Sequence, residues 1–200
     1  MAKKILGVLA ALIAVLCVVI AMRPATFEIK RSLLINAPPA VVYAQVDDFH
    51  AWTAWSPWEK IDPNMKRTYN EVSAGVGAGY QWVGAGDVGA GSMKITDVKP
   101  AEHVGLDLEF TAPFAAKNRT DFDFAKTGEG TTVTWTMSGT NNFGAKAMSL
   151  VMDMDKLVGP NFEKGLAGMK TAAEEAAKKA AAAAAQAQPE GAAAVDAGTP

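Results

Sequence analysis

Between Lys66 and Gly139 the chain alternates apolar and polar residues in one short segment after another, and this constrains the fold more than any other feature. The clearest case is His103–Thr111, where Val104, Leu106, Leu108 and Phe110 alternate with Gly105, Asp107 and Glu109. A period of two is the signature of a strand with one buried face. Thr131–Gly139 repeats it, with Val133, Trp135 and Met137 on one face and threonines on the other. Arg119–Lys126 sets Phe122 and Phe124 against Asp121 and Asp123, and Ser92–Val98 places Met93 and Ile95 together. Tyr80–Val83 and the weaker Arg67–Val72 complete six segments, separated by glycine clusters, Lys99-Pro100 and Thr127–Gly130. Hairpin-linked strands of this kind form an antiparallel sheet whose apolar face must pack on something. A further strand is predicted upstream at Thr26–Ile35, with Arg31 interrupting its apolar face of Phe27, Ile29, Leu33 and Ile35.

The C-terminal part supplies the packing partner. Leu150, Met154, Leu157, Val158, Phe162, Leu166, Met169 and Ala173 recur at three-and-four spacing, the period of an amphipathic helix. Gly159-Pro160 lies within it, and a proline cannot donate to the carbonyl four residues back, so a kink or restart is expected there. The alanine-rich stretch 173–188 should extend the helix beyond the core, with Glu174 and Glu175 preceding Lys178 and Lys179 at i,i+4. Residues 189–200, small and weakly charged, are expected to be disordered.

Before the sheet, Asn36-Ala37-Pro38-Pro39 reads as a helix start with Asn36 as cap, followed by a short helix that ends by Asp47-Asp48. Ala51–Lys60 then spends three tryptophans, Trp52, Trp55 and Trp58, within seven residues. So much aromatic surface ending at Ser56-Pro57 reads as a plug or lid over an apolar interior rather than as regular helix. Trp55 and Trp58 are expected to be mostly buried, with Trp52 bracing the first helix.

At the other end, residues 1–4 carry Lys3 and Lys4, and Ile5–Met22 runs eighteen residues without a charge. A helix of that length spans about 27 Å, enough for a bilayer core. A cleaved signal peptide would want small residues before its cut, and a lipoprotein would want one before Cys17, where Leu16 stands. A retained single-pass anchor over 5–22 is therefore expected, its short basic flank at 1–4 in the cytoplasm and the domain outside, on the periplasmic side.

A formal net charge of −2 leaves no basic footprint, so nucleic acid is not an expected partner. One cysteine, inside the apolar run, and two histidines give no disulfide, cysteine nucleophile or histidine-rich metal site, and neither metal nor cofactor is expected. Gly84-Ala85-Gly86-Asp87-Val88-Gly89 satisfies G-x-G-x-x-G, yet a strand rather than a helix follows, so it reads as a hairpin and not a phosphate cradle. Asp107, Glu109, Asp121 and Asp123 alternate with the apolar face and should point to solvent, with His103 beside them. Ser56 and Ser138 have no identifiable base, and no catalytic constellation emerges.

The order of strand, short helices around the tryptophans, six strands and long helix carries a resemblance. INAPPAVVYAQVDDFHAWTAWSPW at 35–58, GAGYQWVGAGDVGAGSMKI at 77–95, VTWTMSG at 133–139 and MDMDKLVGPNFEKGLAGMK at 152–170 resemble the START-like polyketide cyclase/dehydrase superfamily (SRPBCC), as a membrane-anchored bacterial member. The resemblance implies an α+β helix-grip domain over 26–172, a curved antiparallel sheet of about seven strands around the C-terminal helix, with an apolar cavity between them. It implies binding or transport of a hydrophobic small molecule, lipid-like or polyketide-like, and carries no catalytic residue across. Trp55, Trp58, Tyr80, Trp82, Met93, Phe110, Trp135, Met137 and Phe162 are the expected lining. A cyclase or dehydratase would need a titratable group inside, such as Arg31, Tyr80 or His50. A protein-interaction module would instead expose Trp55 and Trp58.

Overall fold

The computed structural model describes residues 1–187; the expected disordered tail at 189–200 lies outside them. The uncharged run, together with Lys3 and Lys4 before it, forms helix α1, Ala2–Ala21, almost wholly exposed. By length and composition α1 can either cross a membrane or serve as a signal sequence. Strand β1 (Thr26–Ile35) follows after four residues, then helix α2 (Pro39–Asp47) and two one-turn helices, α3 (Trp52–Trp55) and α4 (Trp58–Ile61). Six further strands are β2 (Lys66–Tyr69), β3 (Gly79–Val83), β4 (Ala90–Lys99), β5 (His103–Ala112), β6 (Ala116–Thr127) and β7 (Gly130–Thr140). Helix α5 (Phe143–Met148) and the long α6 (Met154–Gln186) complete the chain, so the expected alanine-rich extension is helical as far as Gln186.

The seven strands form one antiparallel sheet in the order β1-β7-β6-β5-β4-β3-β2. This is the α+β helix-grip architecture: the inner face of the sheet turns toward α6, which packs on β1, α2 and α3. The hairpin connections put the start of β1, the end of β7 and the turn between β5 and β6 at one end of the sheet, next to α1. That end is called proximal below. The distal end is closed, because Val42 and Val46 of α2 lie with Val104, Leu106, Phe122, Phe124 and Val133 in the buried core. A register shift between Ile95 and Asp97 turns Asp97 to the outer face, where unbroken alternation would have turned it inward.

The outer face is the solvated one that the alternation predicts, but its charges are paired. His103 on β5 contacts Asp123 through Nδ1 at 2.8 Å and Asp97 through Nε2 at 3.0 Å. The Arg119 guanidinium crosses to Asp97 at 2.6 Å and Asp121 at 2.9 Å, holding the Asp97 carboxyl below its ordinary range. Gly105 makes this crossing possible, since a Cβ there would stand 1.7 Å from the Arg119 guanidinium.

Arg31 does not enter the core. Its guanidinium lies against Gly159 of α6, where a Cβ would stand 2.0 Å away, and it bonds Asp155 at 2.8 and 2.9 Å and Glu163 at 2.8 Å. These bonds hold the Asp155 carboxyl low; Lys170, with the Asn36 amide, does the same for Glu174 further along α6. A carboxylate whose folded value is depressed stabilises the fold above its unfolded value, about 4, and this contribution disappears as pH falls through the lower folded value. Acid should therefore loosen α6 from β1. Melting temperatures followed from pH 7 to pH 2 should fall below about pH 4, and Asp155→Asn should flatten part of that fall.

Four local expectations are corrected. Asn36 caps no helix: Pro38 precedes α2, and the Asn36 amide instead donates to Glu174 at 2.9 Å. Pro160 does not break α6, because its missing N–H forfeits only the carbonyl of exposed Lys156, within reach of water. The helix begins at Met154, where the Asp153 carboxylate accepts from the amides of Asp155 and Lys156, and Leu150, Met154 and Leu157 are exposed rather than core. Trp52–Trp55 and Trp58–Ile61 are each a helical turn, interrupted at Ser56-Pro57.

Candidate ligand-binding site

The tryptophan stretch packs as an internal plug because helix α2 leaves carbonyls for it. The last carbonyls of a helix have no partner within it. Trp52 Nε1 donates to the Val46 carbonyl at 3.0 Å and Trp55 Nε1 to that of Gln45 at 2.8 Å. Two indoles thus finish α2 while their rings enter the interior, Trp52 5 % and Trp55 1 % exposed. Only Trp58 is half-buried, so the stretch does not form the exposed patch of an interaction module.

Trp135 of β7 stands at the centre. It stacks on Phe162 of α6 with centroids 4.0 Å apart and planes 8° from parallel, and touches Phe122, Trp55, Trp58 and Trp52 at centroid distances of 4.8 to 6.4 Å. Gly165 admits this ring, since a Cβ there would lie 2.7 Å from Trp135 Cζ3. The expected cavity is therefore occupied at its centre by aromatic side chains. The two concavities that stand out, of about 370 and 300 Å³, lie away from that centre, on α1 around Val8 and along β5 and β6 from Asp107 to Glu109 and from Lys117 to Arg119.

Toward the proximal end the grip opens. The inward-facing Phe27, Met93, Leu108, Phe110 and Asn118 are only half-buried, as is Trp58. Of the expected lining, Met93, Phe110 and Trp58 lie on this open side, Met137 borders it, and Trp55, Trp135 and Phe162 form the filled centre. Tyr80 and Trp82 lie on β3, where Trp82 meets Phe110 edge-on at 5.7 Å and its Nε1 donates to the Val88 carbonyl at 3.1 Å.

Among the described residues, two buried polar side-chain atoms have no hydrogen-bond partner: Trp135 Nε1, in the filled centre, and Thr120 Oγ1, on β6 between buried Phe122 and half-buried Asn118. Their residues are diagonal neighbours on the inner face, since Thr120 pairs with Met137 and Trp135 with Phe122. A buried unpaired group costs about 1–3 kcal/mol. Alternation alone predicts Thr120 to face inward, but nothing in the sequence shows that it and Trp135 lack partners.

A second polar feature also escapes the sequence. The Glu59 side chain of α4, 8 % exposed, forms an ion pair with Arg67 of β2 and accepts from Tyr80 Oη at 3.1 Å. Burial, with the Glu59 charge, pushes the Tyr80 hydroxyl far above its ordinary value. Arg67 also donates to the Met65 carbonyl at 2.9 Å, so the cluster ties the tryptophan stretch to the sheet edge. Glu59→Ala should cost about 1–3 kcal/mol in chemical denaturation. His50 remains outside, stacked on Tyr69 at 4.0 Å and bonded to Asp48.

Among solved structures the chain is similar to protein CV1439 from Chromobacterium violaceum, at 17% identity and a TM-score of 0.54 over 76% of this chain and 98% of that one. It is also similar to SA2116 from Staphylococcus aureus, at 11% identity and a TM-score of 0.57 over 79% and 99%. The di-domain ARO/CYC StfQ from the steffimycin biosynthetic pathway aligns at 12% identity and a TM-score of 0.56, over 79% of this chain and 52% of that one. At these identities the likeness shows a shared fold. No curated protein matches the sequence. Residues 26–174, nearly the whole domain, match the family described as polyketide cyclase / dehydrase and lipid transport, and the chain belongs to that family.

Proposed function

We propose that this chain is a membrane-anchored binding protein for a hydrophobic small molecule, held at the open proximal side of the grip, with no chemistry performed on it. The observation that carries this reading is the unpaired Trp135 Nε1 and Thr120 Oγ1, with half-buried Leu108 diagonal to Thr120 on the inner face and Phe110 and Met93 beyond it toward the open end. An apolar body would cover the side chains, and an oxygen on the ligand would accept from the indole N–H. Pockets for small molecules combine apolar walls with a few placed polar groups in this way. Ligand entry requires Met93, Phe110 or Trp58 to move aside, which methionine and rim aromatics do readily. Arg31, which the strand alternation points toward the grip, is committed to Asp155 and Glu163, and the buried Glu59 side chain to Arg67 and Tyr80. That favours binding over a cyclase or dehydratase.

A photoactivatable fatty acid, applied to the full chain in nanodiscs, tests the reading. Cross-links should map to the strands carrying Leu108, Phe110 and Met137. Labelling confined to α1 would count against a site in the grip. Thr120→Val removes an unpaired hydroxyl at nearly constant shape, so it should raise stability by about 1 kcal/mol while lowering cross-linking several-fold.

A further inference from the structure

Outside α1, most of the large exposed apolar side chains gather at the proximal end. Phe114, in the β5–β6 turn, is 80 % exposed and Val151, between α5 and α6, is 81 % exposed. Phe143, Met148, Met152 and Leu157 are exposed around them. Among the described residues the distal end exposes Val72 and Val76, Leu34 lies on the outer face, and Ile61 of α4 and Val83 of β3 are exposed as well. A soluble domain rarely leaves so much apolar surface uncovered at one end.

The junction with α1 sets the level of this end. Lys146 of α5 reaches the Ala21 carbonyl with Nζ at 3.2 Å, and Arg23 donates to the Ser149 hydroxyl at 3.1 Å and its carbonyl at 2.9 Å. Ile20 is 7 % exposed, the one buried residue of α1. Helix α5 is therefore level with the last turn of α1. If α1 crosses a bilayer, that last turn is at the lipid–water boundary, and α5 is at the same depth, with Arg23 and Lys146 at headgroup level. Short segments with apolar side chains below and basic residues above suit that boundary.

We infer that the proximal rim of Phe114, Phe143, Met148, Val151, Met152 and Leu157 docks on the bilayer surface, so that the open side of the grip faces lipid. The inference rests on α1 being a retained anchor. A hydrophobic ligand then passes between membrane and grip without crossing water.

The test uses the full chain with Cys17→Ala and one cysteine introduced as Phe114→Cys, Val151→Cys or Val76→Cys, each labelled with an environment-sensitive nitrobenzoxadiazole dye. In phosphatidylcholine vesicles, dyes at 114 and 151 should be quenched by spin-labelled lipid and shielded several-fold from aqueous iodide. The dye at 76 should behave in the opposite way. A chain stripped from the vesicles by alkaline carbonate would overturn the anchor, and this inference with it. A retained chain whose dyes at 114 and 151 match the one at 76 would overturn the docking face alone. Dyes quenched by neighbouring copies and not by lipid would also overturn it, in favour of self-association.

Discussion

Trp135→Ala should destabilise the domain by about 3–5 kcal/mol, a large share of the roughly 5–15 kcal/mol that holds a typical domain together. The indole is 3 % exposed and touches aromatic residues from three directions: the tryptophan stretch, Phe122 on the next strand and Phe162 on α6. Removing it leaves a cavity where sheet, plug and helix meet, and surroundings held by backbone hydrogen bonds collapse only in part. Trp135→Phe should cost much less, because it keeps a ring on Phe162 and deletes an N–H that has no partner. Denaturant unfolding of the full chain measures both. Equal losses for Ala and Phe would mean that ring packing is not what Trp135 contributes.

Gly168→Ala should also destabilise, although alanine is favoured over glycine inside a helix by about 1 kcal/mol. A Cβ at 168 would stand 2.7 Å from the Trp55 carbonyl oxygen and 3.3 Å from the Trp55 Cα. Those are backbone atoms, fixed because the Trp55 indole is bonded to α2. The helix must move off α3 instead, and overpacking of this kind costs about 1–3 kcal/mol. The steric term wins, so Gly168→Ala should melt lower than the parent and Gly168→Val lower still. If Gly168→Ala melted higher, α6 would not approach the tryptophan stretch this closely.

The sheet was legible because its signal is local. In His103–Thr111 alternation alone assigns Leu106 to the core and Asp107 to solvent, and the structure agrees. The helical period found α6 but not its start. Leu150 and Leu157 satisfy the spacing, yet the Asp153 cap starts the helix after Leu150 and the contact with Arg31 leaves Leu157 facing outward. The tryptophan plug was legible as bulk but not as bonding, since its partners are carbonyls six and ten residues back. The unpaired Trp135 and Thr120, and the Glu59–Arg67–Tyr80 cluster, depend on which atoms lack or find partners in space. Apolar periodicity shows which residues face inward; it does not show whether they fill the space or line it. For this reason the sequence predicted a lined cavity where Trp135 and Phe162 stack.

Native mass spectrometry of the full chain, released from nanodiscs under gentle activation, tests hydrophobic-ligand binding most directly. The predicted result is an apolar, oxygen-bearing molecule retained at one per chain, and retained much less by Thr120→Val and by Leu108→Arg at the open side of the grip. A chain empty in every preparation, and still empty after incubation with fatty acids, would contradict the account.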